Sequence, residues 1–256
     1  MLTNNLFYFY GLQRSGTHAI INWILHQHRF TSEFEDLKLR DPDVWYRIQL
    51  DKLFLLYNYM QDTLRIPSKT TQNIIEENSI ECVETAIISF ESKCLVNLME
   101  DRERGYEVDK VHSSSDVKDM QNIIILRDFP NFLASVYKKH GLGAPHLIKI
   151  WEDRAKEILG ETNYLSDKIF INFNDLCTDS RYRLNICSKL GLSFTDIGFK
   201  NIAPFGGGSS FNNKDFKNSA NKMNVLNRYA QIQDHQFKNL LGQHNNLVEM
   251  SNKIFK

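Results

Sequence analysis

The chain has 256 residues, 42% of them hydrophobic and 24% charged, with 31 basic and 31 acidic side chains and a formal net charge of zero. That balance gives no general attraction to nucleic acid or an anionic membrane, so any basic site must be local. No apolar run reaches the ~18 residues that would suggest a membrane span.

The residues ahead of the first loop read as a strand, so a cleavable signal peptide is not expected. Cys82, Cys94, Cys177 and Cys187 show no C-x-x-C spacing and lie in apolar-patterned segments. They read as buried thiols of a reducing, cytoplasmic compartment, not as a disulfide frame or a zinc site. The length fits a single domain over residues 1–256.

The aromatic run Leu6 to Tyr10 reads as a buried strand, followed by Gly11-Leu-Gln-Arg-Ser-Gly16 and by helix formers from His18. Strand, glycine-containing loop and helix in that order make an anion site, because loop amides and the positive helix end converge. Gly11 and Gly16 are the positions expected to take positive φ or to let a phosphate approach closely. The spacing is that of a nucleotide P-loop, yet Thr17 and His18 stand where an NTPase needs Lys and a metal-binding hydroxyl. The cation is instead Arg14, inside the loop. A phosphate cradle with a fixed charge and no metal ligand suits transfer of a phosphate-linked group without Mg²⁺.

The next helix is apolar except for His18, Asn22 and His26 at i, i+4 and i+8. His26 is expected on a solvated face, while His18 stays open between that face and the reacting group. Asp41-Pro42 resembles an N-cap and first helical position. Trp45, Ile48, Leu53, Leu56, Tyr57, Met60 and Leu64 follow at helical spacing as far as Pro67. A strand is expected within Cys82 to Phe90, a short helix over Ser92 to Met99, and an edge strand from Glu107 to His112.

Asn122-Ile-Ile-Ile-Leu-Arg127 has the short, β-branched character of a central parallel strand. It places Arg127 and Asp128 at a C-terminal strand end, where open α/β sheets bind ligands. Asp128-Phe-Pro130 turns into a helix with Phe132, Leu133, Val136 and Tyr137 on one face, and Asn131, Ser135, Lys138 and Lys139 on the other. An amphipathic helix from Leu147 to Leu159, a strand from Ile169 to Phe173, and a helix ended by Gly191 follow. Phe205 to Phe211 is a second glycine-rich loop, and helical pattern resumes from Val225. Alternating strands and helices define an α/β fold, P-loop-like and three-layered, with a central, mainly parallel sheet flanked by helices.

With these motifs in place the chain resembles the soluble, bacterial-type sulfotransferases that use 3′-phosphoadenosine 5′-phosphosulfate (PAPS). Gln13-Arg-Ser-Gly-Thr17 resembles their 5′-phosphosulfate loop, and Leu126-Arg-Asp128 with Ser135 resembles their 3′-phosphate motif. Phe170 to Asn174 with Tyr182-Arg183, Gly206 to Phe211, and Val225 to Tyr229 resemble later blocks of the family. Residues 30–105 match nothing in it. Arg14 replaces the Lys of many members, and Pro130 stands one place later than in the usual Arg-Asp-Pro order.

The resemblance implies transfer of a sulfuryl group from PAPS to the hydroxyl of a glycan or small molecule, releasing adenosine 3′,5′-bisphosphate. It implies nucleotide contacts from Gln13, Arg14, Ser15, Gly16, Thr17, His18, Arg127 and Ser135. Gly207, Gly208, Ser209, Ser210, Phe211 and Arg228 would close over the same nucleotide. Lys110-Val-His112 stands where family members carry a catalytic histidine, making His112 the candidate base, with Glu33, Glu35 and Asp36 as rivals. Neutral imidazole suits proton removal near pH 7. Charge development on the leaving phosphate is what Arg14 is placed to meet.

No metal and no nucleic-acid partner are expected. Two other readings stay open: a P-loop kinase or NTPase, and a non-catalytic module that binds PAPS or its bisphosphate product. The first lacks the loop Lys; the second does not explain why a candidate base is kept.

Overall fold

The computed structural model describes residues 2–27, 38–41, 44–49, 52–59, 76–77, 82–91, 93–103, 117–200 and 223–256. These residues form two compact units. The first comprises Met1–Gly11, Phe30–Ile124 and Tyr164–Ile169, and the second Leu12–Arg29, Ile125–Asn163 and Phe170–Lys256.

The strands are β1 (Leu2–Tyr10), β2 (Lys38–Asp41), β3 (Val44–Gln49), β4 (Lys52–Tyr59), β5 (Cys82–Phe90), β6 (Val117–Leu126) and β7 (Lys168–Asn172). They lie in the order β2-β3-β4-β5-β1-β6-β7. Four neighbours, β4, β5, β1 and β6, run parallel. The fold is therefore P-loop-like α/β, with a parallel sheet at its centre and helices between the strands.

Leu6, Phe7, Tyr8, Phe9 and Tyr10 are all buried, so both faces of β1 are covered, as a central parallel strand requires. Tyr10 stacks on Phe90 of β5 with ring centroids 5.4 Å apart. On the other side it donates from its hydroxyl to Asn122 Oδ1 of β6 at 3.2 Å. These contacts use the aromatic run on both flanks of the strand.

Where the range Asp41 to Pro67 is described, it forms strands and not the expected helix; Met60, Leu64 and Pro67 lie outside the described residues. β3 and β4 pair antiparallel in register from Val44↔Tyr57 to Gln49↔Lys52, and β4 then joins β5 in parallel. Apolar residues spaced at three and four also fall on strands, and Val44-Trp-Tyr and Phe54-Leu-Leu-Tyr57 carry the β-branched and aromatic side chains that favour a pleated surface. Asp41 closes β2 and caps no helix. The expected edge strand Glu107 to His112 lies outside the described residues.

The first-unit helix α2 (Leu95–Glu103) starts three residues later than expected. In the second unit are α1 (Thr17–His26), α3 (Phe129–His140), α4 (Pro145–Leu159), α5 (Phe173–Thr178), α6 (Ser180–Lys189), α7 (His235–Gln243) and α8 (Asn245–Ile254). Short 3₁₀ turns occupy Ile197–Lys200, Val225–Asn227 and Tyr229–Gln231. The C-terminal helical pattern thus begins as two 3₁₀ turns. Gly191 has φ 66° just past the end of α6, the left-handed stop its position suggested.

The polar stripe of α1 is not solvated. Asn22 and His26 are buried, and the His26 ring lies so close to Gly198 that a Cβ there would sit 2.2 Å from it. Asn22 donates to the Gly198 carbonyl at 3.4 Å, while Gln27 accepts from the Thr195 amide at 2.7 Å. The stripe is the helix's polar seam against the 3₁₀ turn at Ile197–Lys200. Only His18, half-buried at the head of the helix, is left near the loop.

Candidate anion-binding active site

The loop between β1 and α1 is drawn tight around one carbonyl. Leu12 O accepts from the Ser15 amide at 3.2 Å, the Ser15 hydroxyl at 2.6 Å and the Thr17 hydroxyl at 3.3 Å. The Ser15 hydroxyl and amide are thus both committed within the loop. The amide of Thr17, first residue of α1, has no carbonyl a turn behind it and belongs to the positive end of the helix.

Gly16 takes φ 87° as expected, but the loop's second positive φ, 71°, belongs to Arg14 and not to Gly11. For a non-glycine residue this left-handed conformation costs on the order of 1 kcal/mol, and it turns the Arg14 side chain toward α3.

There Arg14 Nε donates to Ser135 Oγ at 3.3 Å, and Arg228 Nη1 donates to the same oxygen at 3.0 Å. Ser135 and Asn131 are buried on the polar side of α3, while Lys138 and Lys139 further along that side are exposed. With two N–H groups donating to its oxygen, the hydroxyl keeps its own proton for a further acceptor.

Arg127, at the end of β6, is 1% exposed, and its Nε and Nη2 find no hydrogen-bond acceptor among the described residues. Its guanidinium carbon lies 5.4 Å from the centroid of the Phe173 ring. The strand end is pinned by the Trp151 indole, which donates to the Arg127 carbonyl at 2.8 Å.

Burial dominates the electrostatics of the two innermost guanidinium groups. Burial pushes the Arg127 guanidinium down to about 10, with Asp128 and the thiol of Cys177 opposing and Arg14 adding to the fall. Burial, then Arg127 and Arg14, push Arg228 down to about 9. A buried cation is stabilised only by a paired charge with hydrogen bonds. Cys177 does not supply it, since burial pushes its thiol up to about 12 against the pull of Arg127, Arg183 and Arg228.

Four residues read from separate motifs, Arg14, Arg127, Ser135 and Arg228, are therefore brought together within the second unit. Gln13 lies within the loop and His18 just past it, both half-buried. Tyr182 and Arg183 serve the fold instead. The Tyr182 hydroxyl accepts from the Asn172 amide at 2.8 Å, and Arg183 grips Asp196 with two bonds of 2.8 Å. His112, Gly207, Gly208, Ser209, Ser210 and Phe211 lie outside the described residues, as do Glu33, Glu35 and Asp36.

Sequence reasoning passed over two residues. Phe173 packs its ring against both Gly16 and Arg127. Asn131 joins α3 to the segment that carries Arg228. The Asp-x-x-Asn spacing after a strand was a usable signal for the second, since it places an amide over an N-cap carboxylate. Among the described residues no cluster of His, Cys, Asp and Glu could hold a metal ion, and no helix is long and apolar enough to cross a membrane.

The described residues thus form a P-loop-like α/β protein in which Arg14 and Arg228 meet on Ser135 near the buried Arg127. No family model and no curated protein matches the chain. Among solved structures it is similar to the sulfotransferase domain from the Synechococcus PCC 7002 olefin synthase, at 12% identity over 100% of this chain and 96% of that one, with TM-score 0.47. It is also similar to the sulfotransferase domain from the curacin biosynthetic pathway, at 11% identity over 94% of this chain and 97% of that one, with TM-score 0.45.

Proposed function

We propose that the protein is a sulfotransferase that moves a sulfuryl group from PAPS to the hydroxyl of a small-molecule or glycan acceptor, working as a single domain in the cytoplasm. The observation that carries this reading is Arg127, a buried guanidinium with two nitrogens unpaired among the described residues, at a strand end that also gathers Arg14, Arg228 and Ser135. A 3′-phosphate supplies the acceptor oxygens those nitrogens lack, and planar guanidinium groups suit it through charge-assisted bonds.

In the reaction the bond from sulfur to the 5′-phosphate oxygen breaks as a bond from sulfur to the acceptor oxygen forms. The acceptor's proton passes to a base, for which the sequence offers His112. Arg14 and the α1 N-terminus meet the negative charge that grows on the departing phosphate. The charge is spread over a sulfuryl group with fewer formal charges than a terminal phosphoryl group, so fixed arginine charges take the part a metal plays in NTPases.

Calorimetric titration of metal-free protein with adenosine 3′,5′-bisphosphate, beside ATP with Mg²⁺, tests the reading. Micromolar binding of the bisphosphate, about −8 kcal/mol, with feeble ATP binding is the expected result. Tight ATP binding that is indifferent to a 3′-phosphate would move the protein to the kinases and NTPases. Bisphosphate binding without sulfuryl transfer to any acceptor in a broad screen would leave a nucleotide-sensing module.

A further inference from the structure

Arg228 comes from a stretch with little regular structure, two short 3₁₀ turns at Val225–Asn227 and Tyr229–Gln231. Such a stretch does not by itself hold a long cationic side chain at a buried hydroxyl. Asn131, buried in the first turn of α3, supplies the hold. Its Oδ1 accepts from the Arg228 amide at 2.7 Å and the Tyr229 amide at 3.3 Å. Its Nδ2 donates to the Leu226 carbonyl at 2.7 Å and to Asp128 Oδ1 at 2.9 Å.

The orientation of this amide is decided by its partners. Two N–H groups face one end and two oxygens the other, so a flipped amide would set oxygen against oxygen. Asp128 fixes the rotamer. The same Oδ1 that caps α3, accepting from the Asn131 amide at 3.0 Å, also takes the Asn131 side chain. A relay therefore runs from the residue after Arg127 through Asn131 to the backbone of Arg228, whose guanidinium ends on Ser135.

Resting on the nucleotide reading of the pocket, we propose that Asn131 is a positioning residue that holds Leu226–Tyr229 on the head of α3 so that Arg228 completes the pocket for the 3′-phosphate. It touches neither nucleotide nor acceptor and acts through Arg228. Asn131→Ala then removes the hold and not the charge. Bisphosphate affinity falls by about tenfold, the scale of one charge-assisted hydrogen bond, while affinity for adenosine 5′-monophosphate stays within about twofold.

The cycle with Arg228→Ala separates this role from general loosening of the fold. The double variant should bind the bisphosphate no more weakly than Arg228→Ala alone, because both changes remove the same contact. Losses that multiply, or an equal loss on the monophosphate, would overturn the proposal. Asn131→Asp, which keeps an acceptor for both amides and loses both donated bonds, is read through the same cycle should the alanine variant not fold.

A second readout needs no ligand. Amide exchange at Arg228 and Tyr229 should quicken by about tenfold or more in Asn131→Ala, with α4 unchanged. Unchanged exchange there sinks the hold whatever the nucleotide does. A wild-type protein that ignores the bisphosphate but shows the exchange effect refutes the nucleotide reading and leaves Asn131 as the clip that positions Arg228.

Discussion

Gly16 and Phe173 occupy the same space up to the last hydrogen. A Cβ on Gly16 would lie 2.1 Å from a carbon of the Phe173 ring, and Gly16 already has φ 87°. The glycine of the loop is thus required twice, by its backbone conformation and by the ring that also underlies Arg127.

Gly16→Ala is therefore expected to destabilise the protein by about 3 kcal/mol, the sum of a left-handed Cβ and an overpacked contact. Denaturant titration should show the midpoint falling with an unchanged slope. Phe173→Leu in the same chain should return part of that loss, since it relieves the contact and not the backbone strain. A Gly16→Ala protein within about 0.5 kcal/mol of wild type would mean that the ring simply moves aside.

Arg127 gives the opposite expectation. Its charge is buried with two nitrogens unsatisfied among the described residues, so in the ligand-free protein it weakens the fold. Arg127→Met keeps the volume and removes the charge; stability should hold or rise by about 1–2 kcal/mol. Bisphosphate affinity should fall at least tenfold in the same protein. Thermal unfolding with and without 0.1 mM bisphosphate checks both at once. Wild type should gain stability from the ligand by mass action, and the variant should gain almost none. A variant that is much less stable on its own would show that Arg127 has a structural partner.

Two members of the candidate cluster could be picked out in the sequence because they stand just past strand ends, where open α/β sheets bind ligands. Arg14 follows the aromatic strand, and Arg127 follows Ile123-Ile-Ile-Leu126. Ser135 was legible only through resemblance, and the pattern that set Asn131 beside it on the polar side of the helix did not tell that both are buried. A hydrophobic pattern identifies the apolar face of a helix and is silent on whether the polar face meets water or a buried site.

The same limit explains Asn22 and His26, which face the turn at Ile197–Lys200 across some 170 residues of sequence. The β3–β4 hairpin was misread because Trp45, Ile48, Leu53 and Leu56 satisfy helical spacing while their pairing partners lie in β5 and in each other. Long-range pairing leaves no local trace.

Arg14 and Arg127 should differ in kind when removed. Arg14 sits in the loop beside the amides that would meet the leaving phosphate, whereas Arg127 stands at the other strand end. Arg14→Ala is expected to lower kcat by about a hundredfold, the scale of losing one charge-stabilising donor. Its bisphosphate affinity should stay within about fivefold, because the product is bound mainly by the other groups. Arg127→Ala should show the reverse split. Steady-state kinetics on an accepted hydroxyl compound, beside calorimetry with the product, reads both. Equal losses of affinity with turnover untouched would remove Arg14 from the transfer step.

The pH dependence of binding follows from which partner titrates. Arg127 and Arg228 are lowered only to about 10 and about 9, so both remain charged between pH 5 and 8. Over that window the site's charge is constant, while a phosphate monoester gains its second negative charge near pH 6. Affinity for the bisphosphate should therefore rise from pH 5 to 7 and then level off to pH 8, with protons released on binding below pH 6. Arg228→Ala should flatten that rise, since one fewer cation remains to tell a dianion from a monoanion. Calorimetry in two buffers of different ionisation enthalpy measures the proton release directly. An affinity that climbs steadily toward pH 5 would instead mean that the second phosphate charge is not what the site recognises.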